Sequence, residues 1–459
     1  MQTTEQYILS QQERYQASLF EFLRIPSVSA DPKYKQDLAD AAAWLEKLLA
    51  DLGFQAETIA TKGSPLVYAE TPPVPGGKTV LVYGHYDVQP PEPLDLWKTP
   101  PFEPVVRDGN VYARGATDDK GQFMTHLFAA EAYMKNAERP KIQVKFLFEG
   151  EEESVGSVNL YEFLKDETNR QKLACDCVVV SDSSMFGENQ PAITCGLRGL
   201  LAFELFITGP NRDLHSGDFG GTVFNPGIAL AKMLSGLIDE NGKILVPHIY
   251  DDVCEITGLE KEELQKLPFN EQEFFKKIGL NEGFGERGFT TLQRRWCRPT
   301  FDINGITCGY QGEGSKTIIP NQASAKFTFR LVPNQDPEKV AENVKRRLMT
   351  LLPPGVQMRL KFGHGAPGMR SPLESPYIQK AAAALKEVFG VSPVFTRQGG
   401  SIPIVAELRD RLNAEVLLLG WGQDDDNLHA PNEKFSLLNF QRGTLASAGF
   451  MHLLEAESE

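Results

Sequence analysis

The sequence predicts an α/β fold into which a smaller α+β domain of ferredoxin-like type is inserted. Three observations carry that expectation. Short apolar runs alternate with helical periodicity early in the chain, the order changes to β-α-β-β-α-β in the middle, and the first pattern returns near the end. A chain of 459 residues that is 41% hydrophobic can also fill two cores.

The elements follow in order. Helical periodicity covers 6–23 and 37–52, with Gly53 as a stop signal. The apolar runs 79–83, 142–148 and 177–181 read as buried strands, and a helix over 120–134 falls between the first two, the βαβ grammar of a largely parallel sheet. From Gly199 the predicted order is strand 200–208, helix 226–238, strands 303–309 and 323–332, helix 337–352 and strand 356–362, which describes a ferredoxin-like sheet. A helix over 377–389, a strand over 415–419 and a last helix near 435–454 restore the first grammar. The expected division is residues 1–198 and 375–459 in one domain, with 199–374 inserted. Residues 247–299 are charged and irregular, which predicts an elaborated surface segment.

A formal charge of −14 with no Lys/Arg-rich run argues against a nucleic-acid partner. The first residues lack the apolar core of a signal peptide and no window approaches a membrane span, so the expected location is the cytoplasm, with no membrane partner. Six cysteines without a C-x-x-C pair fit reduced thiols, and Cys175 and Cys177 alternate beside an apolar run as strand residues would.

Residues with metal chemistry gather at element ends, where open α/β sheets place their sites. Gly84-His85-Tyr86-Asp87 follows the run 79–83; His85 can ligate a cation and Asp87 can orient its ring, although two incidental polar residues at a strand end would look the same. Asp118 and Asp119 precede the helix from 120, a position where Asp also serves simply to stabilise a first turn. The run Glu149-Gly150-Glu151-Glu152-Glu153 closes the strand 142–148, and charge this dense at the mouth of a buried strand calls for cations or raised pKa values. Asp182 follows 177–181, and His429 lies in the polar loop Asp424-Asp425-Asp426-Asn427-Leu428-His429. His126 and His452 read as helix residues and His248 as part of the surface segment.

Taken in order, GHYDVQP, RGATDDKG, EGEEES, the aspartate of VVVSDSS, LHSG and NLHAPNE resemble the M20 family of metallopeptidases over nearly the whole chain. RRWCRPTFDINGI, GYQGEGSKTIIPNQASAKFTFRLVP and RQGGSIPI resemble its dipeptidase branch, which holds carnosine-type and cysteinylglycine-type enzymes. The resemblance implies a metal-dependent exopeptidase-type catalytic domain with an inserted lid and dimerisation domain. It implies two divalent ions, Zn²⁺ before Mn²⁺ or Co²⁺, with Asp118 bridging, His85 and Asp182 on one ion, Glu153 and His429 on the other, and Glu152 as general base. It also implies a cis peptide between Asp118 and Asp119. The family has one residue between its glutamate pair and a following Gly-Ser, whereas Ser154 and Val155 both intervene here before Gly156-Ser157. Register from the strand selects Glu152 and Glu153; register from Gly156 does not.

The implied reaction is hydrolysis of a small peptide bearing a free carboxylate. His215 would reach the active site of a partner subunit in a homodimer formed through the inserted domains, there to stabilise an oxyanion. Arg330, His364 and Ser401 would hold the substrate carboxylate, although Arg330 could equally be an ordinary strand arginine, His364 a turn residue and Ser401 an N-cap. Two other functions fit less of the sequence. A deacylase of N-acyl amino acids or succinyl amines would share the metals but not the RRWCRPTFDINGI segment. A non-catalytic binding protein should have lost a ligand or the base.

Overall fold

The computed structural model describes residues 3–136, 140–363, 365–400 and 402–455. The chain forms two compact units, one of Met1–Cys195, Ser371–Thr396 and Glu407–Glu459, the other of Gly196–Arg370 and Arg397–Ala406. It is a mixed α/β fold.

In the first unit, strands Gln55–Ile59, Leu66–Glu70, Ile142–Glu149, Lys78–His85, Cys177–Val180, Glu415–Leu419 and Ala192–Leu197 lie side by side in that order. The middle four are parallel. They are buried along nearly their whole length, as the continuous apolar runs require of strands covered on both faces. Helices Gln12–Leu23, Lys35–Asp51, Lys120–Asn136, Pro376–Phe389 and Leu437–Glu455 contribute Leu19, Leu45, Phe128, Ala381 and Phe450 to one core with Val80 and Phe146 of the sheet. The continuous helix expected over 6–23 is instead two, Thr4–Ser10 and Gln12–Leu23. The Ser10 hydroxyl donates back to the Tyr7 carbonyl at 2.8 Å and Gln11 leaves helical geometry, a competition that periodicity does not register.

The second unit holds an antiparallel sheet in the order Thr300–Cys308, Gln322–Leu331, Gly199–Thr208, Gln357–Phe362. Numbered along the chain this is 2-3-1-4, the ferredoxin-like order. Helices Pro226–Ser235 and Pro337–Leu351 start at side-chain caps, Asn225 and Asp336, each followed by proline. They set Leu230, Met233, Val344 and Leu348 against Phe203, Leu205, Phe327 and Phe329 of the sheet.

Residues 247–299 are less irregular than expected. They contain three short helices, Gly258–Lys266, Glu271–Lys277 and Thr291–Trp296, capped by Thr257, Asn270 and Thr290. Thr257 with Glu260 and Thr290 with Gln293 form reciprocal capping boxes, a local signal that high charge had masked. Among the described residues no helix is long and apolar enough to cross a membrane.

Candidate metal centre

Strand register brings the candidate ligands to one level. His85 pairs with Glu149, Tyr83 with Val180, and Val180 with Leu418, so four parallel strands end together. Asp182 lies two residues past Val180, and the segment ending in Asp118 leads into the helix Lys120–Asn136. Gly84 permits the close approach: a Cβ there would stand 2.8 Å from both Asp119 Oδ2 and Phe123 Cβ. The Asp118–Asp119 peptide is cis.

Two groups of donors result, His85 with Asp118 and Asp182, and Asp118 with Glu153 and His429, the atoms in each lying within 4.8 Å of one another. Asp118 belongs to both. Its Oδ1 is 3.1 Å from His85 Nε2, and its Oδ2 is 2.9 Å from His429 Nε2, which is also 3.3 Å from Glu153 Oε1. Donors about 2.0–2.1 Å from a shared tetrahedral ion would stand roughly 3.3 Å apart, so these spacings suit ligands of common cations. Despite that proximity, His85 Nε2 and Glu153 Oε1 make no well-formed hydrogen bond although both atoms are buried. His85 Nδ1 donates to the Asp87 carbonyl at 3.1 Å, so that in the neutral ring the Nε2 lone pair faces Asp118.

Electrostatics point the same way. Burial, only partly offset by His85 and reinforced by Asp182 and Glu153, pushes Glu152 up to about 9. Burial together with Asp118 pushes Asp182 up to about 7. His429 is raised to about 10 by its contacts with Asp118 and Glu153. Burial opposes ionisation of Asp118 too, yet its hydrogen bond with His429 and the closeness of His85 hold its carboxyl below the usual range. The cluster attracts protons because its carboxyls are buried and rich in negative charge. Asp118, Glu152, Glu153 and Asp182 together would balance two divalent cations, and the imidazole and carboxylate donors fit ions such as Zn²⁺.

Residues 81–452 match the model of peptidase family M20/M25/M40. The chain belongs to the M20 peptidase family. It is a hydrolase of metallopeptidase type. It is 34% identical to the Cys-Gly metallodipeptidase DUG1 of Saccharomyces cerevisiae, over 99% of this chain and 98% of the relative. The solved structure of human carnosine dipeptidase 1 is similar at 31% identity and a TM-score of 0.82, covering 99% and 98% of the two chains. That of the M20 family metallo-carboxypeptidase Sso-CP2 from Sulfolobus solfataricus is similar at 34% identity and a TM-score of 0.85, covering 96% and 99%.

Around the donor cluster of this M20 chain, Asp87 acts as a hub. Its carboxylate accepts from the Ser29 hydroxyl at 2.6 Å and from the backbone N–H groups of Glu153 at 3.0 Å and Glu152 at 3.3 Å. The expected pairing of this carboxylate with His85 is joined by a second contact from the same residue. The strand ends at His85, and the turn beyond it brings the Asp87 carbonyl closer to Nδ1 than the carboxylate, which stands at 3.5 Å. The acidic run divides by environment. Glu149 accepts from the Tyr83 hydroxyl at 2.7 Å, and Glu151 accepts from Ser64 N–H at 2.8 Å and the Asn159 amide at 2.6 Å. Glu153 joins the cluster, where the Gln89 amide also donates to it at 2.7 Å, and Glu152 lies partly buried beside it.

Two residues given no role from the sequence hold the loops in place. The wholly buried carboxylate of Glu433 accepts from Arg114 Nη1 at 2.8 Å and from the N–H groups of Gly115, Thr117 and Asp118 at 2.9, 3.0 and 3.1 Å. This joins the loop of His429 to the loop of Asp118 across more than three hundred residues of chain; the glutamate of NLHAPNE was visible, but nothing local named its partner.

The remaining candidates are in the second unit. His215 caps the short helix Ser216–Phe219 and accepts from Gly217 N–H at 3.0 Å. Arg330 is partly buried near the end of Gln322–Leu331, opposite Thr300. His364 and Ser401 lie outside the described residues.

Proposed function

We propose that this M20 enzyme hydrolyses dipeptides and similar small peptides with a free C-terminal carboxylate, using two divalent ions, Zn²⁺ before Mn²⁺ or Co²⁺. The observation that carries the reading is the pair of donor groups sharing Asp118. In this reading Asp118 bridges, His85 and Asp182 complete one ion's protein ligands, and Glu153 and His429 complete the other's. When bound, the ions supply an acidified water and polarise the scissile carbonyl. Glu152 takes one proton from the attacking water and returns it to the leaving amine, so that water adds across the C–N bond. Asp87 keeps His85, Glu152 and Glu153 in mutual register through its four contacts. Arg330, His364 and Ser401 hold the substrate carboxylate, and His215 of a partner subunit stabilises the oxyanion in a homodimer built through the inserted units.

Relatives named for Cys-Gly and carnosine hydrolysis support the substrate class. A cytoplasmic location accords with six cysteines that form no disulfide. The test is a hydrolysis screen of the enzyme loaded with Zn²⁺, Mn²⁺ or Co²⁺ over dipeptides, tripeptides and N-acyl amino acids. Dipeptides should be turned over fastest; a preference for N-acyl amino acids would identify a deacylase instead. Glu152→Gln should keep both metals and lose about 10²–10⁴-fold in kcat, while Glu153→Gln should lose metal. The reverse pattern would move the base to Glu153.

A further inference from the structure

We infer that Arg198 is a positioning residue of the substrate-carboxylate pocket, tying the Gly399–Gly400 turn to the strand end that carries Arg330. The inference deepens the proposed function and rests on its assignment of Arg330 to the substrate carboxylate. Arg198 stands between the strands Ala192–Leu197 and Gly199–Thr208, where the chain passes into the second unit. Its backbone N–H donates to the Gly400 carbonyl at 3.2 Å, and its Nε donates to the Gly399 carbonyl at 3.0 Å. Its Nη1 donates to Thr300 Oγ1 at 3.2 Å.

Thr300 is the cross-strand partner of Arg330, and Arg330 also pairs with Leu200, two residues on from Arg198. Directly opposed residues share a sheet face, so the Thr300 hydroxyl and the Arg330 side chain emerge together. One guanidinium therefore spans from a two-glycine turn to the threonine beside Arg330. Only a planar fork with several fixed donors can make those bonds at once, which a lysine ammonium on a flexible stem cannot. The turn is fitted to Arg198 in return: a Cβ on Gly399 would stand 2.9 Å from Arg198 Nη2 and 3.1 Å from the Arg295 carbonyl.

Charge supplies the second reason. Burial, and after it the neighbouring Arg330, lowers Arg198 to about 10, with Asp302 opposing. Burial also lowers Arg330, again with Asp302 opposing. Arg330, partly withdrawn from water and repelled by the neighbouring Arg198, favours an incoming anion, and a carboxylate matches its planar fork. The strand carrying Arg330 and the glycine turn that precedes Ser401 are then held at a set distance by Arg198 before substrate arrives.

The test uses the metal-loaded enzyme and one dipeptide that it turns over, together with the same dipeptide as its C-terminal amide. Arg330→Ala and Arg198→Ala should each lower kcat/KM for the free-carboxylate dipeptide by about tenfold or more, mainly through KM, the scale of one charge-assisted hydrogen bond. Neither should change the amide by more than about twofold, so the preference for the carboxylate collapses. Arg198→Lys should fail to restore that preference. Thr300→Val, which removes the Nη1 acceptor, should reduce it several-fold, and it carries the same test should Arg198→Ala not fold. Collapse in Arg330→Ala with equal losses on both substrates, or with no loss, in the Arg198 and Thr300 variants would overturn the inference and leave the carboxylate assignment standing. An unchanged preference in Arg330→Ala would overturn the assignment on which it rests.

Discussion

His126 shows how a polar residue near a reactive centre can serve the core. It lies within the helix Lys120–Asn136, with its ring almost wholly withdrawn from water. Ser181 Oγ donates to the Leu419 carbonyl, so the 2.7 Å contact of His126 Nε2 with the same oxygen makes the imidazole the donor. The contact links the central helix to the ends of two strands. Burial lowers its pKa from 6.5 to about 3. The unfolded chain takes up a proton as pH falls through about 6.5, while the folded chain does so only near 3. Stability is therefore present above the upper value and is lost as pH falls through the interval, by about tenfold in the unfolding equilibrium constant per pH unit. Urea unfolding between pH 6 and 4 should show one proton less uptake on unfolding for His126→Gln than for the native chain. Equal acid slopes for the two proteins would contradict the assignment.

Between elements, the decisive contact is the clamp of one loop on another. Glu433 gathers four donors at the start of the Asp118 segment, and Asp426 adds the Thr117 hydroxyl at 2.8 Å. His429 lies between these two anchors in sequence, with a left-handed backbone at φ 58°, a conformation that non-glycine residues keep only when their surroundings enforce it. Glu433→Gln would leave the buried Arg114 without its charge partner and offer an amide where three N–H groups need acceptors. The expected outcome is a metal affinity lower by about 10–100-fold, as for lost partners behind metal ligands, measured by competition with a chelator. Native affinity in a folded Glu433→Gln protein would show that the clamp does not position the ligands.

At the scale of the whole molecule, the proposal to test is that His215 of a partner subunit completes the site. The sheet of the second unit ends in the nine-residue strand Thr300–Cys308, whose Ile303 and Ile306 are 45% and 57% exposed. A long exposed edge with apolar side chains is a template for pairing with a second chain. If pairing through the inserted units brings His215 to the neighbouring site, then His215→Ala and Glu152→Gln, each inactive alone, should recover part of the activity after subunit exchange. One site of each mixed dimer would hold both native residues. A fully active monomer, or no recovery in verified mixed dimers, would refute the shared site.

The sequence by itself determined the parallel strands and the ferredoxin-like order, because apolar runs and the polar residues that end them are local signals, while His85, Asp118, Glu153, Asp182 and His429 were singled out as a set by the resemblance to the M20 family. It could not show that Gln11 breaks the first helix, that the Asp87 carbonyl is the nearer partner of His85, or that Glu151 turns away to Ser64 and Asn159. Nor did it reveal that Glu433 closes on Arg114 and that Arg198 reaches Gly399 and Thr300. Those outcomes depend on hydrogen bonds whose geometry is set only once register and packing fix both ends, and several join residues hundreds of positions apart. Periodicity along a chain reports which face of an element is buried; it carries no information about which distant donor will find a buried carboxylate.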